Sequence, residues 1–152
     1  MNRTNPPHKN LLPSILLIIL AILLTAGCSG EGSSGDAAFE MASMEQMPPD
    51  VQSAPVSVQQ AYQFAFANPD VLQQIPCYCG CGVMGHTSNL SCYVSGADAS
   101  GQPAFDSHAL GCSICVDITQ DTMRLLKQGQ SVPEIREYVD QTYAQYGPSN
   151  MP

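Results

Sequence analysis

The stretch Pro76-Cys77-Tyr78-Cys79-Gly80-Cys81-Gly82 governs the reading of this chain. Pro76 stops any helix that precedes it, and Gly80 and Gly82 permit sharp backbone turns and close approach of the backbone. The run therefore separates helical segments on its N-terminal side from those that follow. It also carries three sulfurs on alternate residues, more than one staple needs, since a single disulfide would hold such a turn. Sulfurs two residues apart can face one ion where the backbone turns.

Working outward, three more cysteines follow at Cys92, Cys112 and Cys115, with His86 and His108 among them. The spacing reads C-x-C-x-C-x4-H, then Cys92, then H-x3-C-x2-C. Thiolate and imidazole together suit Zn(II) and copper ions. Cys77, Cys79, Cys81, His86, Cys92, His108, Cys112 and Cys115 are the candidate metal ligands. They suffice for two tetrahedral zinc sites, or for a multinuclear Cu(I) cluster in which bridging thiolates serve several ions. The C-x-C alternation leans toward the cluster, because structural zinc sites more often use C-x2-C pairs on both sides. Cu(I) is thus the first expectation and Zn(II) the second. Cys112 and Cys115 fall at the start of a helix, whose partial positive charge favours thiolates. Asp106 is placed to orient the His108 imidazole or, equally, to form a turn, and Tyr78 to shield the site.

Two other readings stay open. Six cysteines in an oxidising compartment can form three disulfides, and a small core often needs such staples. A thiol–disulfide redox role would centre on Cys112 and Cys115, the single C-x2-C pair.

The segments flanking the run read as helices. Before it, Ser57 with Gln60 makes a capping box, followed by a stripe of Val58, Tyr62, Ala65 and Phe66. Asn68-Pro69 ends that helix and opens a short second one. After the run, a third helix starts near Cys112 and ends at Gly129. Ser131 with Glu134 makes another capping box for the last helix. Ile118 and Leu125 are expected to meet Ile135 and Val139 between these two helices. Glycines keep the region between Cys81 and Cys112 loop-rich, with a short hairpin pairing Cys92-Tyr93-Val94 and Ala104-Phe105. The expected fold is mainly α: a small single-domain helical body with a Cys-rich loop region and a short β-hairpin.

The seventh cysteine belongs to a different device. Arg3 and Lys9 precede an apolar stretch from Leu11 to Leu24, interrupted by Pro13 and Ser14, and then Thr25-Ala26-Gly27-Cys28. This is the pattern of a signal peptide over residues 1–27, too short for a spanning helix, which needs roughly 20 apolar residues. The residues around Cys28 resemble a bacterial lipobox, in which the cysteine is diacylated and becomes the new N-terminus; Thr25 stands where leucine is usual. Residues 28–55, rich in Gly, Ser, Ala, Met and Pro, read as a flexible tether, and 56–147 as the folded domain. Met41, Met44 and Met47 recur every third residue in the tether, as soft thioether donors or as one face of a short packing helix.

Charge narrows the partners. The chain has a formal net charge of −8, and loss of Arg3 and Lys9 with the leader takes it to −10. With Arg124, Lys127 and Arg136 as the remaining cations, no basic patch for nucleic acid can form. The membrane partner is then reached through the lipid at Cys28 rather than through charge.

The run Pro76 to Cys81 resembles the signature of the PCYCGC-motif bacterial lipoproteins. The likeness extends to the Ala67-Asn68-Pro69-Asp70 stretch, Gly85-His86, His108-Ala109 with Cys112 and Cys115, and Val139-Asp140 with Tyr143. The resemblance implies an extracytoplasmic, membrane-anchored lipoprotein and implies no chemistry. The chain holds no G-x-S-x-G, phosphate-binding glycine loop or H-E-x-x-H motif. The expectation is therefore a metal-binding protein rather than an enzyme.

Overall fold

Strong local signals set the helices of the C-terminal half. The computed structural model describes residues 39–151; the leader, Cys28 and residues 29–38 lie outside the described residues. In chain order, α1 is Pro49–Gln52, α2 Val56–Ala67, α3 Pro69–Leu72, α4 Ser113–Lys127 and α5 Val132–Tyr143. Strands β1 (Val94–Ala97) and β2 (Pro103–Phe105) form the sheet, and short 3-10 turns fill the Cys-rich region. The domain is mainly α-helical, as its sequence indicates.

Helix α5 starts with the expected capping box: the Ser131 backbone N–H donates to Glu134 Oε2 at 2.7 Å, and Pro133 sits in the first turn. Helix α4 ends in a Schellman motif. The Gln130 N–H reaches the Leu125 carbonyl at 3.1 Å and the Gly129 N–H reaches that of Leu126 at 2.9 Å. Between these ends α4 packs on α2 and on α5. Ile118, Leu125, Ile135 and Val139 are all buried there, each at most 3% exposed.

The other side of the domain departs from the sequence reading in three places. Residues 39–55 are not a tether but part of the folded body. Met47 and Val51 are buried in its core, the Ala42 N–H donates to the Gln63 carbonyl, and Asn68 Nδ2 donates to the Glu40 carbonyl. Polar composition concealed an apolar pair four residues apart that α1 and its flanking turn press against α2. The three methionines consequently share no face: Met41 is exposed, Met44 half-buried and Met47 buried. Helix α2 has its N-cap at Pro55 rather than Ser57. The Pro55 carbonyl accepts from the N–H groups of Val58 and Gln59, so the first turn has closed before Ser57 can cap it. Within α2, Phe64 joins the core, whereas Phe66 is half-buried and stacks on Phe105 with centroids 5.4 Å apart.

The hairpin is antiparallel, pairing Val94 with Phe105 and Ala97 with Pro103, with an irregularity between Val94 and Gly96. It starts two residues later than its sequence suggests, since Leu90–Cys92 form a 3-10 turn. That turn drops Tyr93 into the core, edge-on to Tyr62 with centroids 4.9 Å apart. The side chains of Cys92, Cys115 and Cys77 lie in the same buried interior, where the Cys-rich loops meet the first turn of α4.

Candidate metal centre

The Cys77–Gly85 segment is shaped by glycine. Gly80 has φ +84°, a left-handed conformation that a side chain would strain, and it turns the chain into the 3-10 turn Cys81–Met84. Cys77 and Cys79 thereby lie on one limb of the loop and Cys81 on the other. Cys92 ends its own turn, and Asn89, just before that turn, fixes it. Its N–H donates to the Ile75 carbonyl at 2.7 Å and its Nδ2 to Thr119 Oγ1 at 2.8 Å. From α4, Cys115 enters at the third position of the helix. Its carbonyl accepts from the Tyr93 hydroxyl at 2.8 Å and from Thr119 Oγ1 at 3.1 Å. A buried polar brace thus ties the Cys92 turn to the Cys115 turn.

All six cysteines of the described residues are free thiols. Cys77 Sγ lies 3.4 Å from Cys79 Sγ and 3.5 Å from Cys115 Sγ, and Cys79 and Cys115 are 3.6 Å apart. These three sulfurs form a triangle. Cys81 Sγ is 3.8 Å from Cys92 Sγ, and Cys79 Sγ is 3.5 Å from His108 Nε2. A disulfide requires sulfurs about 2.0 Å apart. A tetrahedral zinc with Zn–S bonds of about 2.3 Å instead holds its sulfurs about 3.8 Å apart. At 3.4–3.8 Å the sulfurs are not bonded to one another, and they stand close to the spacing such a site requires.

Three four-ligand groups have their donor atoms within 4.8 Å of one another: Cys77, Cys79, Cys92 and Cys115; Cys79, Cys81, Cys92 and His108; and Cys79, His108, Cys112 and Cys115. Each can hold a metal ion, and Cys79 belongs to all three. Seven of the eight residues singled out in the sequence are therefore drawn together. His86 is the exception. Its ring meets the His108 ring edge-on at 5.1 Å, and its Nε2 faces Asp106 Oδ2 at 3.7 Å. Its Nδ1 is buried without a hydrogen-bond partner among the described residues.

Of the two roles the sequence leaves open for Asp106, the structure shows the turn former. Its Oδ1 accepts the backbone N–H of His108 at 2.7 Å, so it positions the His108 turn rather than the imidazole. The Asp106 backbone is itself pinned, by its N–H to the Tyr93 carbonyl and by its carbonyl to the Tyr62 hydroxyl. Tyr78 turns away from the sulfurs and donates to Asp140 Oδ1 of α5 at 2.6 Å; burial and that carboxylate raise its phenol pKa to about 12.

The sulfurs are electrostatically unequal. Hydrogen bonding from Cys115, then from Cys92, holds the Cys77 thiol well below the usual range. Its hydrogen bond to Cys77 holds the Cys115 thiol well above that range, and burial pushes Cys79 and Cys81 up as well. Cys77 and Cys115 are thus shifted in opposite directions by the hydrogen bond they share. Ionising the thiols together without a cation would crowd like charges into a low-dielectric interior.

One functional residue escaped the sequence reading. Asn150 reaches back over the cysteine loop and accepts the Cys77 N–H on Oδ1 at 2.7 Å. Its Nδ2 donates to the Ser88 carbonyl at 3.0 Å and lies 3.5 Å from Cys81 Sγ, and its N–H donates to the Cys77 carbonyl at 3.1 Å. Gly147 lets this tail pass, since a Cβ there would stand 2.9 Å from the Tyr78 carbonyl oxygen. No local signal marks Asn150, whose partners lie more than sixty residues away.

The family model described as a protein of unknown function with PCYCGC motif matches residues 16–152. No curated protein matches the chain. No solved structure matches it either.

Proposed function

We propose that this chain, which belongs to the family of proteins of unknown function with PCYCGC motif, is an extracytoplasmic lipoprotein that binds soft metal ions for metal handling. Cu(I) is the first choice of metal and Zn(II) the second. The observation that carries the reading is the sharing of Cys79 among three overlapping ligand groups. A thiolate common to neighbouring sites is a natural bridge, and bridging suits a polynuclear Cu(I) cluster better than isolated tetrahedral zinc. The sulfur triangle of Cys77, Cys79 and Cys115 also supports the reading, because three mutually close thiols offer one ion a shared donor face. The ligands are Cys77, Cys79, Cys81, Cys92, His108, Cys112 and Cys115, with His86 behind His108. The role is binding rather than catalysis.

The anchor rests on the sequence alone: lipid on Cys28 holds the domain at a bacterial cell membrane, on its extracytoplasmic side. Cys28→Ala should leave an unprocessed precursor that takes up no radioactive fatty acid, and equal labelling of the variant would refute the anchor. The metal reading is tested by elemental analysis of protein isolated anaerobically, with thiols counted before and after chelation. Bound copper or zinc with six free thiols after chelation is expected. Metal-free preparations carrying three disulfides would leave the scaffold reading standing. Metal retained in full by a Cys77→Ser, Cys79→Ser, Cys81→Ser triple variant would show that the site lies elsewhere.

A further inference from the structure

We infer that Cys112 is the exchange ligand of the cluster, the sulfur released when an incoming thiolate takes or delivers Cu(I) through the groove beside it. The inference rests on the copper reading above and adds the route by which the ion moves. Four of the six thiols are sealed: Cys77, Cys92 and Cys115 are 0% exposed and Cys81 2%. Only Cys79 and Cys112 are half-exposed. The two are not equivalent. Cys79 belongs to all three ligand groups, so its release would dismantle the cluster, whereas Cys112 belongs to one. Cys112 also lines a groove of about 290 Å³, together with Leu110, Gly111, Ser113, Val116 and Asp117. Cys112, which this groove opens onto, shares its one ligand group with Cys79, His108 and Cys115.

The step is a ligand substitution without redox change. The incoming thiol loses its proton, its sulfur forms a new Cu–S bond, and the bond from copper to Cys112 Sγ breaks. The electron pair stays on Cys112 Sγ, which takes up a proton, and copper remains Cu(I) throughout. Cys79, His108 and Cys115 keep hold of the ion while Cys112 is replaced, so copper is never released bare.

The test uses the Cu(I)-loaded protein under argon. Timed alkylation with N-ethylmaleimide, read by mass spectrometry, should modify Cys112 about tenfold or more before any other cysteine, because thiol reactivity follows access. Copper transfer to excess bicinchoninate should be accelerated by added thiol, with glutathione and a Cys-Gly-Gly-Cys peptide at equal thiol concentration distinguishing a small-molecule from a protein-like donor. Leu110→Trp fills the groove without removing any ligand. It should keep the copper content and slow thiol-assisted transfer about fivefold or more, by loss of access. First alkylation at Cys79, or transfer unaffected by both thiols, would overturn the assignment. If Leu110→Trp does not fold, the alkylation order on the unaltered protein decides alone. Absence of copper from the loaded wild-type protein would instead end the copper reading itself, a result the transfer and alkylation arms do not mimic.

Discussion

Replacing Asn150 by Ala should destabilise the domain through the cysteine loop. The substitution removes two well-formed side-chain hydrogen bonds, to the Cys77 N–H at 2.7 Å and the Ser88 carbonyl at 3.0 Å, and the weak contact with Cys81 Sγ. A typical net hydrogen bond contributes about 0.5–1.5 kcal/mol, and a buried donor left unpaired costs about 1–3 kcal/mol. Cys77 is fully buried, so its N–H falls in the second class. The expected loss is about 2–3 kcal/mol, which for a domain of this size lowers Tm by roughly 10–20 °C. Asn150→Asp retains an oxygen for the Cys77 N–H but has no donor for Ser88, so it should recover part of the loss. The assay is thermal and urea unfolding of the reduced, metal-free protein, followed by far-UV circular dichroism under argon. A melting point within a couple of degrees of wild type for Asn150→Ala would refute the clamp, since an exposed surface contact typically contributes less than about 0.5 kcal/mol.

Other substitutions probe the remaining layers. Leu125→Ala, in the α4–α5 contact, should cost about 2–5 kcal/mol by urea unfolding, and unchanged stability would mean the helix faces are misassigned. Ser131→Ala removes half of the α5 capping box and should cost about 1 kcal/mol, measured the same way. His108→Ala should reduce bound copper or zinc, while His86→Ala should leave the stoichiometry unchanged, because His108 Nε2 lies 3.5 Å from Cys79 Sγ and His86 joins no ligand group. Elemental analysis of the two variants side by side checks this, and equal loss in both would place His86 among the ligands.

Features encoded within a few residues of one another are legible in the sequence itself. The Ser131–Glu134 box, the end of α4 at Gly129 and the start of α4 beside Cys112 each depend on contacts within one or two helical turns. Backbone hydrogen-bond supply and side-chain reach settle such choices locally. The chemical character of the candidate site is equally local, because six thiols and two imidazoles in one loop-rich stretch supply, by composition, donors that could hold a metal ion. What the sequence by itself could not contain is partnership at a distance. Which sulfurs meet, with Cys79 at the centre and Cys112 at the edge, depends on how α4 docks against the loop some thirty-six residues before Cys115. Asn150 gains its meaning from Cys77, seventy-three positions away, and Asp106 from backbone groups it meets only in the fold. Residues 39–55 read as too polar to order themselves, and alone their entropy would prevail. They are ordered because α2 offers a prepared apolar surface to Met47 and Val51, an energy that exists only once the tertiary structure has formed.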